Sequence, residues 1–208
     1  MITRSSKVAK RAIRIIAISG VPGVGKSKVA RLLSKQLGAG LISITALVEA
    51  GKIPYAWDRP RKTKIISVRD TQKVVNKITS SRNKRTIHKI IRSPRFAKRT
   101  IFVVEGHLAH LLKSNIVFIL RCKPAVLRKR LAARNWPKKK IDENVQAEIL
   151  DVITAEAIKQ RAKVYEIDTT HKSAKQTAIV MLRILKSAAY GKKFTPGKIE
   201  WLKPQELA

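Results

Sequence analysis

The sequence predicts an α/β fold of three layers, with a five-stranded parallel sheet between two layers of helices. Two observations lead to this prediction. Short apolar runs of strand length alternate along the chain with amphipathic segments of helix length, which is the order that builds a parallel sheet. In addition, a glycine-rich turn joins the first apolar run directly to the first amphipathic segment. In sheets of this kind, ligands bind beyond the carboxyl ends of the strands.

Each element is predicted from its pattern of apolar residues. Runs of apolar residues predict the strands, and apolar residues spaced three and four apart predict the helices. The strands are 15–18, 41–44, 101–105, 116–120 and 164–168. The helices are 29–37, 45–50, 71–78, 124–134, one long helix from 141 to about 163, and 173–188. Residues 51–67 lose this periodicity, which predicts a mobile flap rather than core.

The length of 208 residues predicts one domain with appendages. The domain covers residues 14–188, and its special parts are a flap at about 43–78, a basic insertion at 79–100 and a lid at about 134–141. A basic arm, 1–13, precedes the domain, and a tail, 189–208, follows it.

Residues 20–27 read Gly-Val-Pro-Gly-Val-Gly-Lys-Ser and fit the phosphate-binding pattern G-x-x-x-x-G-K-[ST]. Glycines allow successive backbone N–H groups to converge on a phosphate, and the start of the next helix adds its positive dipole end. In this pattern Lys26 reaches the β- and γ-phosphates of a triphosphate, and Ser27 offers its hydroxyl to Mg²⁺. A glycine-rich turn without a ligand is the alternative, and the flanking strand and helix argue against it.

Glu105 ends the third predicted strand, and Gly106 and His107 follow it at once. In a protein with a phosphate-binding loop this strand end faces the phosphates, where an acid helps to hold Mg²⁺ through water. A carboxylate at this place could also belong to a plain helix N-terminus. We favour the magnesium ligand because the phosphate-binding loop is present.

Three further residues have both a functional and a structural interpretation. Arg130 and Arg134 lie four residues apart in a predicted helix, so they share one face. Two guanidinium groups there suit a transferring phosphoryl group, and an ordinary basic helix face is the alternative. Asp70 precedes a predicted helix, and both an N-cap and a contact to a second nucleotide remain open for it.

The charge balance is extreme, with 46 Lys and Arg against 13 Asp and Glu, a formal net charge of +33 and a pI near 11.1. Because so few acids are available to pair with it, the excess positive charge favours a polyanionic partner, for which RNA is the best candidate. A solvated basic surface is the alternative. Residues 79–100 contain eight Lys or Arg and no acid, and RNA contact and a solvated face remain equally open for them.

The cysteine and hydropathy patterns bear on the compartment. The single cysteine, Cys122, excludes an internal disulfide, which suits a reducing cytosol, and we expect this side chain to be small and buried. No apolar run approaches the roughly 18 residues of a membrane span. We therefore expect no membrane attachment and a cytoplasmic location, or a nuclear one if the chain is eukaryotic.

Several segments keep the order of one known family. Besides the phosphate-binding loop, they are residues 103–107, 117–121, 127–136, 143–149 and 164–170. On these segments the chain resembles the atypical adenylate kinases of small-ribosomal-subunit maturation, the adenylate kinase 6 or CINAP family. The Glu-Gly-His at 105–107 and the Arg-x-Trp at 134–136 are more specific than the loop, which many families share.

The resemblance implies a P-loop nucleoside monophosphate kinase that converts ATP and AMP into two ADP with Mg²⁺, and that also has a weak ATPase activity. Its catalytic residues would be Lys26, His107, Arg130 and Arg134, with His107 implicated in ATP hydrolysis. ATP would contact Gly23, Gly25, Lys26, Ser27, Lys28 and, from the lid, Arg134. Ser27 and Glu105 would hold the metal. The flap would bind the monophosphate, with Ser43 and Asp70 as substrate contacts.

The resemblance also implies partners, namely the eleventh small-subunit ribosomal protein and the ribosomal RNA. An ATP-gated ribosome assembly factor with little monophosphate kinase activity is therefore the main alternative. A P-loop kinase for another small substrate, such as shikimate, is a third interpretation. The Glu-Gly-His segment and the Trp136 lid argue against this third interpretation.

Overall fold

The structure is a computed structural model that describes residues 14–60, 63–80, 101–160 and 162–202. The predicted basic arm, 1–13, lies outside the described residues. The same is true of the predicted basic insertion, apart from its first two residues, and of the last six residues of the predicted tail.

A five-stranded parallel sheet forms the centre of the described chain, which confirms the predicted fold class. The described residues form seven strands, of which five belong to this sheet. They are β1 (Arg14–Ser19), β2 (Gly40–Ser43), β3 (Tyr55–Asp58), β4 (Thr63–Ile66), β5 (Ile101–Glu105), β6 (Ile116–Arg121) and β7 (Lys163–Asp168). The sheet has the order β2-β5-β1-β6-β7, and every neighbouring pair in it is parallel. The strands β3 and β4 pair with each other as an antiparallel hairpin.

Helices cover both faces of this sheet. They are α1 (Lys26–Leu37), α2 (Ile44–Glu49), α3 (Val68–Ser80), α4 (Pro124–Ala132), α5 (Lys138–Ile149), α6 (Val152–Ile158), α7 (Ala174–Lys186) and α8 (Ala188–Gly191), with 3₁₀ turns at Ala109–Leu111 and Lys192–Phe194. Within the described ranges, no helix is long and apolar enough to cross a membrane.

Two hydrophobic cores separate the helices into layers. Successive strand residues point to opposite faces, so Ile18 belongs to the core beneath α1, α4, α5 and α7, whereas Ala17 belongs to the core beneath α2, α3 and α6. Cys122 is buried in the first core, as expected. The three-layer arrangement is therefore a direct result of the two-residue period of the strands.

The structure corrects two predicted segments. Residues 51–67 contain the hairpin of β3 and β4 and are not simply an irregular flap. The predicted long helix from residue 141 is two helices, α5 and α6, because Asp151 between them has a left-handed φ of 53°. A left-handed residue cannot continue an α-helix, and Asp tolerates this conformation better than most residues do.

The helix at Asp70 also begins earlier than predicted. It starts at Val68, and the backbone N–H of Asp70 donates to the Ser67 hydroxyl at 3.2 Å. Ser67 is therefore the capping residue, and the N-cap interpretation of Asp70 is wrong. A serine hydroxyl before the first turn satisfies an N–H group that has no partner within the helix.

A buried ion network lies at the end of β6. The guanidinium of Arg121 donates to Glu148 at 2.7 Å and to Asp151 and Glu166 at 2.5 Å each. The indole N–H of Trp201, from the predicted tail, donates to Glu148 at 2.9 Å. The described part of the tail is thus packed against the domain through the same network.

Candidate functional site

A cavity of about 1120 Å³ lies beyond the carboxyl ends of β1 and β5. Sites for one small molecule usually have volumes of about 300–1,000 Å³, so this cavity lies just above the upper end of that range. Its walls come from the phosphate-binding loop, from the end of β5, from the α4–α5 connection and from the hairpin of β3 and β4. The lining residues used below are Gly23, Gly25, Lys26, Ser27, Lys28, Trp57, Lys64, Glu105, His107, Arg130, Arg134 and Trp136.

The backbone of the loop requires glycine at two of the predicted positions. Gly23 has a φ of 93°, and a Cβ there would lie 2.9 Å from a side-chain carbon of Leu127. Gly25 has a φ of 101° and directly precedes α1, and no atom lies within 4 Å of where its Cβ would be. The first N–H groups of a helix have no partners within the helix. A phosphate can therefore approach the start of α1 closely.

The ammonium group of Lys26 lies inside the loop. It donates hydrogen bonds to the backbone carbonyl oxygens of Gly20 at 2.9 Å and Val21 at 3.0 Å. Burial lowers the pKa of Lys26 to about 8; the carboxylate of Glu105 opposes this shift, and Arg134 adds to it. Lys26 is charged at pH 7, and a phosphate beside it would stabilise that charge further.

Glu105 is a buried carboxylate that accepts hydrogen bonds from two hydroxyl groups. It is 3% exposed, and it accepts hydrogen bonds from Ser43 at 2.5 Å and from Ser27 at 3.1 Å. Among the residues that the structure describes, no ion pair within 4.0 Å joins it to a cation. Buried charges in proteins are paired with a cation or coordinate a metal.

These residues fit Mg²⁺. The ion prefers oxygen ligands, and in kinases it is held by one or two protein groups together with the phosphates of the substrate. The carboxylate of Glu105 and the hydroxyl of Ser27 supply such oxygens at the edge of the cavity. The described residues contain no cluster of three or more acidic, His or Cys side chains that could hold an ion without a substrate.

His107 lines the cavity beside Lys26. The pKa of His107 is lowered to about 4, mainly because surrounding protein atoms desolvate the ring, and the positive charges of Lys26 and His110 lower it further. The ring is therefore neutral at pH 7. The rest of the residue is exposed. A neutral imidazole can accept a hydrogen bond from water and orient it.

A chain of polar groups, absent from the sequence predictions, runs from the buried Ser19 and His110 to the partly exposed Glu156. Nδ1 of His110 is 2.9 Å from the Ser19 hydroxyl, and Nε2 is 2.8 Å from a carboxylate oxygen of Glu156. The Ser19 hydroxyl is also 2.8 Å from the backbone carbonyl oxygen of His107. Ser19 ends β1, so the chain connects the start of the phosphate-binding loop to the segment that carries Glu105 and His107.

The two arginines predicted for phosphate binding both line the cavity. Arg130 donates to the backbone carbonyl oxygens of Thr169 and Thr170 at 3.0 Å each through one nitrogen, so its position is fixed while other N–H groups stay available. Arg134 lies beyond the end of α4 and is exposed. The i, i+4 spacing thus brings both guanidinium groups to the cavity, although only Arg130 is within the helix.

The two predicted substrate contacts do not line the cavity. Ser43 bonds to Glu105 and caps α2. Asp70 lies on α3, where Lys73 pairs with its carboxylate at 3.0 Å and holds its pKa below the usual value. The hairpin contributes Trp57 and Lys64 instead. Alternating aromatic residues at 55 and 57, followed by Pro60, are a hairpin signal that could have identified this wall.

Comparison with known proteins places this chain in a family. A family model described as an AAA domain matches residues 16–151. A protein of Archaeoglobus fulgidus named "Putative adenylate kinase" is 36% identical, over 92% of this chain and 94% of its own. A protein of Thermococcus onnurineus with the same name is also 36% identical, over 90% and 91%.

Solved structures agree on the fold. Shikimate kinase from Acinetobacter baumannii matches with a TM-score of 0.54 at 18% identity, over 86% of this chain and 96% of that chain. The YorR protein from Bacillus subtilis, solved in complex with phosphorylated GDP, matches with a TM-score of 0.50 at 15% identity, over 85% and 98%. At such identities the likeness shows the fold alone. The chain therefore belongs to the AAA-domain family by the family model, and to the family of these archaeal proteins named "Putative adenylate kinase" by sequence identity.

Proposed function

We propose that the protein is a nucleoside monophosphate kinase that catalyses ATP + AMP ⇌ 2 ADP with Mg²⁺. One observation carries the proposal: a single cavity of about 1120 Å³ continues from the phosphate-binding loop to the hairpin of β3 and β4. A donor and an acceptor nucleotide can therefore lie in one continuous space. The names of the archaeal relatives support the same reaction.

The loop side of the cavity would bind ATP. The glycines at 23 and 25 and the start of α1 would surround the phosphates, with Lys26 near the β- and γ-phosphates. Ser27 and Glu105 would hold Mg²⁺, which supplies positive charge to the transferring phosphoryl group. Lys28 lies at the same rim and would add a further positive charge.

The hairpin side would bind the monophosphate. Trp57 is 53% exposed and lines the cavity, so its ring offers a flat surface for a base to stack on. Lys64 lines the same wall, with its ammonium group 4.4 Å from the centre of the Tyr55 ring, and it would attract the monophosphate. Ser43 and Asp70 stay predictions for this side.

Phosphoryl transfer needs positioning and charge neutralisation more than covalent chemistry. Lys26, Arg130 and Arg134 would neutralise the developing charge on the phosphoryl oxygens. Arg134 and Trp136 lie in the α4–α5 connection, predicted as the lid, and their movement over the bound phosphates would exclude water. Exclusion of water favours transfer to AMP over hydrolysis.

The direct test measures ADP and free phosphate from Mg·ATP with and without AMP. The proposal predicts ADP formation that depends on AMP, with two ADP per ATP consumed and little free phosphate. Phosphate release that is indifferent to AMP would contradict it. The variant Lys26→Met distinguishes this activity from contamination, because its turnover should be lost with the protein still folded.

We propose, as a second candidate, that the protein hydrolyses ATP as an assembly factor of the small ribosomal subunit. The neutral His107 beside Lys26 supports this candidate, because it can orient a water molecule. The net charge of +33 supports contact with RNA. The resemblance to the adenylate kinase 6 or CINAP family adds the eleventh small-subunit ribosomal protein as a partner.

The second candidate predicts that His107→Ala lowers phosphate release from ATP while AMP-dependent ADP formation changes little. It also predicts that RNA or the ribosomal protein changes the rate of hydrolysis. A rate that stays constant across a titration with both partners would contradict it.

A further inference from the structure

The outward surfaces of α1 and α7 are strongly basic. Neither helix contains an acidic residue. Their exposed Lys and Arg side chains, which we call the basic face, are Lys28, Arg31, Lys35, Lys175, Arg183 and Lys186. The two helices together thus present a surface of one charge sign in a chain that has 13 acids in all.

The two helices lie side by side, so these charges form one surface. Leu33 of α1 and Met181 of α7 are buried in the same core, and the basic residues lie on the opposite sides of both helices. Residues 28, 31 and 35 recur at helical spacing over about 10 Å of helix. Packed helices lie about 8–10 Å apart, so the face has two roughly parallel rows of positive charge.

None of these charges is neutralised within the described part of the chain. The Lys and Arg side chains in its ion pairs are Lys73, Arg121 and Arg128, and none of them belongs to the basic face. Unpaired charges of one sign repel each other and destabilise the folded state. A polyanion laid across the face would remove that repulsion and release bound counterions.

The composition of the face argues against a membrane or an apolar protein partner. The large hydrophobic residues exposed in the described chain are on the hairpin and around α6, namely Tyr55, Trp57, Ile65, Leu150, Val152 and Ile158. None is on α1 or α7. Surface helices that bind membranes insert apolar side chains beside their charges, and centres of protein interfaces are depleted in Lys.

We propose that the basic face of α1 and α7 binds RNA through its phosphate backbone. This inference rests on the second proposed function and deepens it, because it locates the surface that contacts RNA. Binding through phosphates alone is independent of base sequence and weakens steeply with salt. It does not require nucleotide hydrolysis, so RNA binding and turnover can be tested separately.

The test is fluorescence anisotropy of a labelled oligouridine of about 20 nucleotides, longer than the ~4–16 nucleotides that one small domain covers. The variant replaces Arg31, Lys35 and Lys186 with Glu; Lys28 is kept because it lines the nucleotide cavity. We expect at least a roughly tenfold loss of affinity. Each phosphate contact to a single strand contributes about 0.7 to the slope of log affinity against log salt. Because the variant loses three such contacts, this slope should become shallower by about 2.

A matched control has the same charge change on the other layer. It replaces Arg69, Lys77 and Lys159, exposed residues of α3 and of the end of α6, with Glu. The proposal predicts a much smaller loss of RNA affinity in the control. Both proteins should retain their thermal unfolding temperature, and the basic-face variant should retain AMP-dependent ADP formation. Equal losses in the two variants would overturn it.

Two other outcomes would also contradict the proposal. One is tight binding of the wild type to DNA of the same length without binding to RNA. The other is sedimentation with vesicles of anionic lipid, lost in the basic-face variant, without RNA binding. If RNA binding fails while AMP-dependent turnover persists, the kinase proposal stands and the RNA surface does not.

Discussion

The strands β5 and β6 flank β1, and a buried glutamate lies at the carboxyl end of each. The surroundings of these two glutamates differ. Glu105 at the end of β5 and Glu148 beside the end of β6 are 3% and 2% exposed. The carboxylate of Glu148 accepts hydrogen bonds from Nε–H of Arg121 and from the indole N–H of Trp201. The backbone carbonyl oxygen of Glu148 accepts a second hydrogen bond from Arg121. Glu105 receives two hydroxyl groups and borders an open cavity.

The difference shows that burial alone does not identify a functional acid. Arg121 pairs with three carboxylates inside the described chain, and this network connects β6, α5, β7 and the C-terminal segment. Glu105 is placed beside Ser27 and near Lys26, where a cation and phosphates complete the arrangement. We therefore expect changes at the two sites to affect different properties of the protein, stability at the first and catalysis at the second.

The largest effect is expected from Lys26→Met in the open site. Removing a charge that contacts the transferring phosphoryl group should lower kcat/KM by at least about a thousandfold, or about 4 kcal/mol. Circular dichroism should show an intact fold. The control is Lys35→Met on the exposed side of the same helix, which should retain activity. Normal turnover of the Lys26 variant would refute the assignment of the phosphate-binding loop.

The next effect is expected from Arg121→Met in the closed network. Removing the cation leaves Glu148 and Glu166 buried without their partner, and losing one member of a buried pair costs about 3–5 kcal/mol of unfolding free energy. Chemical denaturation measures this loss. Because Arg121 does not line the cavity, kcat per folded molecule should stay near that of the wild type. A stable variant with low kcat would reverse the roles of the two sites.

A matched pair of isosteric changes separates the roles of Glu105 and Glu148. Glu105→Gln keeps the size of the side chain but removes the charge that would hold Mg²⁺, so kcat should fall about 100-fold, or about 2.7 kcal/mol. Its unfolding free energy should change by less than about 1 kcal/mol. Glu148→Gln, at equal burial, should show the opposite pattern. Similar profiles for both variants would mean that the two acids do not differ in role.

A smaller effect is expected on the hairpin side of the cavity. Trp57→Ala should raise KM for AMP about tenfold with little change in KM for ATP, since stacking on an aromatic ring is worth about 1–3 kcal/mol per base. Tyr55 belongs to the same strand and is 47% exposed, but it does not line the cavity. Tyr55→Ala is thus the control, and an equal rise in KM from it would exclude a specific contact by Trp57.

The smallest effect concerns pH. Because the pKa of Lys26 is lowered to about 8, its charge is present below pH 8 and is lost as the pH rises through that value. ATP binding should therefore weaken above pH 8 and should be accompanied by proton uptake. Calorimetric titrations in two buffers of different ionisation enthalpy measure the uptake at pH 8.5. Binding without proton uptake there would show that Lys26 keeps an ordinary pKa.

The sheet and the phosphate-binding side of the site were predictable because local signals carry them. The loop of residues 20–27 specifies its own turn and the start of α1, and the apolar runs specify the strands. Glu105 was identified because it ends an apolar strand in a chain with this loop. Its contact with Ser27, 78 residues away in the sequence, follows from the parallel pairing of β5 with β1.

Other features depend on contacts between distant residues, which no local pattern reveals. Ser19 and His110 are 91 residues apart, and His110 and Glu156 are 46 apart. The break at Asp151 was missed because the apolar period continues through it, while its carboxylate contacts Arg121. The hairpin was missed because Tyr55, Trp57 and Ile65 are exposed, so they do not contribute to a core pattern.

A bisubstrate ligand tests whether the donor and acceptor nucleotides occupy one cavity. The ligand is two adenosines joined through five phosphates, and its binding is measured by isothermal titration calorimetry in the presence of Mg²⁺. We predict one site per chain, an affinity well above that for ATP, and weaker binding in both Lys26→Met and Trp57→Ala. Affinity no greater than that for ATP, unchanged in the Trp57 variant, would show that the hairpin side does not bind a nucleotide.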